Sequence, residues 1–289
     1  TIYNNGSPLT SMSGFTSLQA WYKLNASEVF NSTSTEWSVD NNAHPSVYKS
    51  SLDFDGSSNY VNCGNDSSLQ ITGAMTISYW VKGTSTLGAA GVGTLEDSAS
   101  PGYLLGPSTT GAISFNLALS SSTTKNVTTT QQITTTEWHH IVGVYTPGVS
   151  MKIYIDGQLS KTETSNIPYS QYVGGNDFRI GYRTCCKIDG QISNVAIWNT
   201  DLSSPEVNTL YNNGTPEASI SHSPVSWWKL DNITTGIQDS AGSNNGTNNG
   251  ATEYAGFVNA LAGESVSMDS SNLVVSDLQQ TSGYSPYAL

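Results

Sequence analysis

The chain of 289 residues carries 10 Lys and Arg against 22 Asp and Glu, a net charge of −12, with only 11% of its residues charged. So sparse and negative a set leaves no electrostatic footprint for a phosphate backbone or an anionic bilayer, which excludes nucleic acid and membrane surfaces as natural partners. There is room for one large domain or two small ones, and enough chain to bury a sizeable core.

In chain order, short runs of alternating or β-branched apolar residues bounded by turn formers predict strands over 51–55, 60–63, 74–82, 103–106, 112–119, 138–145, 151–155, 158–162, 178–182 and 190–198. The sharpest local signal is Lys152-Ile-Tyr-Ile-Asp-Gly-Gln-Leu159. There Asp156-Gly157 supplies the positive φ angles of a two-residue type I′ turn and predicts a hairpin. After the last strand, 202–214 reads as one short helix. Ser203 can cap it, Glu206 can reach back, Pro205 lies in the first turn, and Gly214 can close it in a left-handed conformation. No apolar run approaches the ~20 residues of a bilayer-spanning helix, and no basic-apolar-small leader opens the chain, so no membrane insertion is expected. Three cysteines, Cys63, Cys185 and Cys186, make neither a disulfide framework nor a zinc-site spacing. A vicinal Cys185–Cys186 bond and two half-buried thiols both remain open, the thiols being favoured.

The sequence repeats itself. Thr1-Ile-Tyr-Asn-Asn-Gly-Ser-Pro8 returns as Thr209-Leu-Tyr-Asn-Asn-Gly-Thr-Pro216, and Trp21-Tyr-Lys-Leu-Asn25 returns as Trp227-Trp-Lys-Leu-Asp231. A period of about 207 residues far exceeds the 20–50 residues of a stacked solenoid unit, so each period should be a whole domain. On this reading residues 1–16 are the tail of a preceding repeat and 17–214 one complete domain. Residues 215–289 are then an incomplete second repeat, docked on the domain or on a neighbouring chain.

Five segments and the 202–214 helix carry a family resemblance: Leu52-Asp-Phe-Asp-Gly-Ser-Ser-Asn-Tyr-Val61, Met75-Thr-Ile-Ser-Tyr-Trp-Val81, Glu137-Trp-His-His-Ile-Val142, Tyr154-Ile-Asp-Gly157 and Ile188-Asp-Gly-Gln-Ile-Ser-Asn-Val-Ala-Ile-Trp198. In order and spacing they resemble the concanavalin A-like laminin-G domains and, among these, the pentraxins. The resemblance implies an all-β fold, an antiparallel β-sandwich jelly roll with one short C-terminal helix. Trp80, Trp138 and Trp198 are expected to be sealed between its two layers. The 221–230 linker, the 283–289 segment and the Ser/Thr/Asn-rich composition also resemble virion-associated proteins of marine bacteriophages.

Glycan-cleaving enzymes on this fold resemble one another in a Glu-x-Asp-x-x-Glu strand that sets its carboxylates on one sheet face. Here Glu96-Asp97 are adjacent and Glu137 precedes Trp138-His139-His140, so no enzyme activity is expected. His139 and His140 could suggest metal or acid-base chemistry, but as strand neighbours they point to opposite faces and cannot act as one unit; the resemblance implies that this Trp-x-His pattern packs and hydrogen-bonds. Pentraxin-like domains hold calcium with loop carboxylates and amides. Glu96 and Asp97 fall at the first such group, but Tyr182-Arg-Thr-Cys-Cys-Lys187 stands where the second should be. No cofactor is therefore required. A structural calcium ion near Asp53, Asp55 and Asn59 and a turn braced by the same side chains are alternatives. Candidate glycan-binding side chains are Tyr103, Tyr169, Tyr172, Tyr182 and Arg183, in or beside predicted loops; core closure with the hydroxyl in water is the alternative for the tyrosines.

Together these features lead to the expectation of a non-catalytic, lectin-like module of an adhesin or phage structural protein, binding glycan or a surface protein at a cell or virion surface. The rival expectation is an architectural virion or fibre component, assembling as a homo-oligomer or with capsid or tail proteins through its incomplete repeat. A glycoside hydrolase stands a distant third.

Overall fold

The computed structural model describes residues 49–257 apart from 85–86, 97–100, 109, 135, 215 and 218, together with the strand backbones 29–31, 36–38, 265–268 and 273–276. The tail assigned to 1–16, the first repeat copy at 21–25, the 283–289 segment and Asp97 lie outside the described residues. The chain divides into two compact units, one of residues 1–47 and 260–289, the other of 48–259. In the first unit β1 (Val29–Asn31) pairs antiparallel with β2 (Glu36–Ser38).

The second unit holds β3 (Lys49–Asp55), β4 (Tyr60–Asn62), β5 (Met75–Gly83), β6 (Gly91–Gly93), β7 (Tyr103–Pro107), β8 (Ala112–Ala118), β9 (Thr124–Gln132), β10 (His139–Thr146), β11 (Ser150–Ile155), β12 (Gln158–Glu163), β13 (Arg179–Arg183), β14 (Cys186–Lys187) and β15 (Asp189–Trp198). Helix α1 (Ser204–Tyr211) follows, then β16 (Ser226–Trp228), β17 (Thr247–Asn249) and β18 (Thr252–Phe257). Among the described residues these strands form two eight-stranded antiparallel sheets. One runs β12-β11-β10-β5-β15-β3-β18 with β16 also on β15, and the other runs β17-β4-β13-β6-β7-β8-β9 with β14 also on β13. The expected antiparallel sandwich with one short helix is the observed fold. In the first unit, β19 (Ser265–Met268) pairs with β20 (Leu273–Ser276).

Period-two alternation decides what lies between the sheets. On β5, Met75, Ile77, Tyr79 and Val81 join the central core, with Ile141 and Tyr145 of β10 and Leu105, Phe115 and Val127 of the other sheet. The opposite face of the first sheet is covered by α1, where Val142, Val144, Tyr154, Ala196, Trp198, Val207 and Leu210 form a second apolar layer. This corrects the expected place of three indoles. Trp198 belongs to the layer under α1, Trp80 stacks on His140 and Tyr211, and Trp138 is half-buried. Trp80 points outward because its neighbours Tyr79 and Val81 point in. Trp198 does so because β15 carries a bulge between Ser193 and Ala196, at which Asn194 takes φ +49° and the alternation resets.

The indole that does lie in the central core is Trp228, contributed from beyond the helix. Trp228 pairs with Val195, continuing the sheet alongside the half of β15 that β3 leaves unpaired. Its ring stacks on Phe178 at 5.0 Å between centroids, and its Nε1–H donates to the carbonyl of Asn244 at 2.6 Å. Asp239 anchors the returning chain by accepting N–H bonds from Trp227, Ala241, Gly242 and Asn244. Burial opposes the charge of this carboxyl most strongly, yet the backbone N–H groups together hold its pKa below the ordinary value. β17 then pairs with β4 in one sheet and β18 with β3 in the other. The compact unit therefore reaches three strands past Gly214, because both sheets have a free edge there that the returning chain pairs.

The Asp156-Gly157 turn takes φ +51° and +75° as its sequence requires, and β11 and β12 pair across it. Helix α1 starts where expected, the Ser203 N–H donating to Glu206 Oε2 at 2.6 Å. It ends earlier than expected, with Asn212 at φ +45° as the left-handed cap.

Candidate functional site

The sequence candidates fall in separate places. Tyr103, expected near a loop surface, is fully buried and its hydroxyl donates to the carbonyl of Leu69 at 2.5 Å. It sits inward because on β7 the residues 103 and 105 share the core face. Tyr169, 87% exposed, lies at the β10–β11 turn against Gly148. Tyr172, 42% exposed, is held by backbone bonds to Ala118 and Gly102 beside the end of β8. Tyr182 and Arg183 share the end of β13.

Of the residues considered for calcium, Asp53, Asp55 and Glu96 are engaged within the fold. Asp55 accepts the N–H groups of Ser57, Ser58 and Asn59 and both serine hydroxyls, bonds that hold its pKa well below the ordinary range, so its oxygens are spent within their own turn. Asp53 accepts from the amide of Gln191 on β15. Glu96 pairs with Arg179 at 2.8 Å. Among the described residues no three His, Cys, Asp or Glu side chains are grouped to hold a metal ion.

His139 and His140 face opposite sides, as neighbours on a strand must. Nδ1 of His139 meets Asp156 at 2.7 Å, while the Asp156 carboxylate also accepts the N–H of His140. Nε2 of His140 lies 2.7 Å from Ser78 Oγ, inside the layer beneath α1. Both members of this pair are buried away from solvent, so the geometry serves packing.

The chemistry gathers on the outer face of the second sheet. Tyr60 and Tyr182 lie 5.0 Å apart between ring centroids. The Arg179 guanidinium stands 4.5 Å and Lys187 Nζ 4.0 Å from the Tyr182 ring. Arg179 is also held by Asp177 at 3.4 Å, and Lys187 donates to the carbonyl of Arg183 at 3.0 Å. Burial, and then the charge of Arg179, lower the Lys187 pKa. Where β13 turns into β14 the chain carries a Cys185–Cys186 disulfide rather than the favoured thiols, Cys185 in the turn and Cys186 at the start of β14. Such a bond persists in an oxidising compartment.

Next to this cluster is a groove of about 200 Å³, lined by Leu104, Gly106 and Pro107 of β7, Ser114 and Asn116 of β8, Asn126 of β9, and Ala89, Ser108 and Arg183. Its wall is a polar ladder. Asn126 Nδ2 donates to Asn116 Oδ1, Thr128 Oγ1 donates to Asn126 Oδ1 at 2.7 Å, and Ser114 and Thr128 share a hydrogen bond of 2.9 Å. At the floor the backbones of β7 and β6 approach closely at glycines: a Cβ on Gly106 would stand 2.2 Å from the carbonyl oxygen of Ala90. The Nε of Arg183 is buried at the groove without a hydrogen-bond partner. Of these groups only Arg183 was a sequence candidate. A signal for the others was present, since Ser114 and Asn116 are the polar members of an otherwise apolar alternation in Ala112-Ile-Ser-Phe-Asn-Leu-Ala118.

Residues 55–208 match the family model of the concanavalin A-like lectin/glucanases superfamily. No curated protein matches the chain. A proposed carbohydrate-binding protein of Bacteroides ovatus ATCC 8483 is similar in structure, at 18% identity and a TM-score of 0.54 over 72% of this chain and 60% of that one. The heptameric SAP-like pentraxin of Limulus polyphemus aligns at 15% identity and a TM-score of 0.49 over 73% of this chain and 97% of that one. The Ruminococcus gnavus IT-sialidase CBM40, solved with α2,3-sialyllactose, aligns at 15% identity and a TM-score of 0.45 over 56% of this chain and 96% of that one.

Proposed function

This chain belongs to the concanavalin A-like lectin/glucanases superfamily, and from that premise we propose that it is a non-catalytic module that binds glycan, acting outside the cell or on a virion surface. The observation that carries the reading is the groove on the outer sheet face. Its two asparagine amides, its serine hydroxyls and Arg183 converge on a shallow apolar floor of Leu104, Gly106 and Pro107. Sugar hydroxyls both donate and accept, and a fixed array of amides and hydroxyls answers both roles. The wall groups are already hydrogen-bonded to one another, so their orientation is set before a ligand arrives.

The test is a glycan array with the full chain, with and without chelator, followed by titration of the best binder. Binding that survives chelation is expected, because the groove lacks a carboxylate set for calcium. Asn116→Ala and Asn126→Ala should each weaken it by about 1–2 kcal/mol, or roughly 5–30-fold. A silent array, or two variants that bind like the parent, would overturn the reading.

A second reading, an architectural virion or fibre component, is favoured by a separate observation: the segment from β16 to β18 completes both sheets by strand addition. The chain carries that segment's opening motif twice, at 21–25 and 227–231. Sedimentation velocity separates the two readings. Concentration-dependent self-assembly together with an array that stays silent supports architecture.

A further inference from the structure

Resting on the glycan-binding reading, we propose that the ligand is an acidic glycan whose carboxylate or sulfate group is held by Arg183 at the end of the groove. Cations are scarce here, 10 against 22 acidic residues. Yet Arg179, Arg183 and Lys187 all lie within one hairpin, β13–β14. In a chain that repels anions as a whole, a local reversal of sign steers a negatively charged ligand to one place.

The partners of the three cations separate their roles. Arg179 is spent within the fold, paired with Glu96 at 2.8 Å and Asp177 at 3.4 Å. Lys187 stands over the Tyr182 ring and donates to the Arg183 carbonyl, bracing the hairpin. Arg183 faces the groove, and among the described residues none of the ion pairs includes it. Its Nε–H, like that of Arg179, is shielded from water and meets no acceptor, so what sets Arg183 apart is its place in the groove without an ion pair. The planar fork of arginine suits a carboxylate or sulfate, which accepts two parallel N–H bonds. Arg183 pairs with Cys186 across the hairpin, next to the Cys185–Cys186 bond of its turn.

The test titrates the full chain with matched oligosaccharides: one bearing a terminal carboxylate, its counterpart with the acid reduced to an alcohol, and a sulfated counterpart. The carboxylated or the sulfated member is expected to bind at least roughly 10-fold more tightly than the neutral one, with affinity falling as salt rises. Arg183→Gln should abolish that preference, so that acidic and neutral members bind alike, with the melting temperature unchanged, and Arg183→Lys should restore part of it. Preference for the carboxylate alone identifies a sugar acid, and equal preference for both anions identifies a site for anions generally. Equal binding of neutral and acidic members, or a preference that survives Arg183→Gln, overturns the proposal and leaves glycan binding standing. Failure of all three sugars to bind overturns both.

Discussion

Trp228→Ala is expected to lower the stability of the full chain by about 3–5 kcal/mol, the range for removing a buried aromatic side chain. The upper part of that range is expected here. The ring is fully buried in the central core and stacked on Phe178. Its removal also leaves the Asn244 carbonyl without the indole N–H it accepts. Because β16 is only three residues long, the loss should propagate to the segment it anchors, from β16 to β18. Chemical denaturation measures the first effect. Limited proteolysis measures the second, with new cleavage expected between residues 226 and 257. Trp228→Phe keeps most of the stacking and should recover over half of the loss. A Trp228→Ala variant that unfolds and is cleaved like the parent would show that the segment does not help hold the sandwich together.

Between pH 7 and pH 5 the chain is expected to lose about 2 kcal/mol of stability through His140 alone. Burial holds the imidazole down at about 3 against an ordinary 6.5, with the charge of Asp156 opposing this in part. The unfolded chain takes up a proton as pH falls through 6.5 and the folded chain does not. The stabilisation is thus complete above 6.5 and is lost progressively as pH falls toward 3. The carboxylates held below their ordinary range, Asp55, Asp66, Glu163, Glu206 and Asp239, are mostly ionised in both states over this window and act chiefly at lower pH. Urea unfolding at pH 7, 6 and 5 measures the slope, and His140→Gln should be less stable at pH 7 but flatter with pH. An equal slope in parent and variant would place the acid sensitivity elsewhere.

What can be read locally was set by the amino-acid sequence itself. Most of the strands from 51 to 198 announce themselves through alternation and turn residues, though the short β6 and β14 do not; Asp156-Gly157 dictates its hairpin, and Ser203 with Glu206 starts the helix, because each signal concerns backbone within a few residues. Strand β9 escaped that reading because Thr124-Lys-Asn-Val-Thr-Thr-Thr-Gln-Gln132 has one aliphatic residue. It is an edge strand of its sheet, held by pairing with β8 and by the burial of that one residue, Val127. The facing of Trp80 and Trp198 and the choice of Trp228 for the core depended on the bulge at Asn194 and on which edges remained to be paired. The groove depended on sheet order, which sets Arg183 of β13 on the same groove as Asn116 and Asn126, three and four strands away in their sheet. Composition and spacing record local preference. Neighbours across a sheet are settled only when whole faces compete for burial, and that competition is a property of the folded chain.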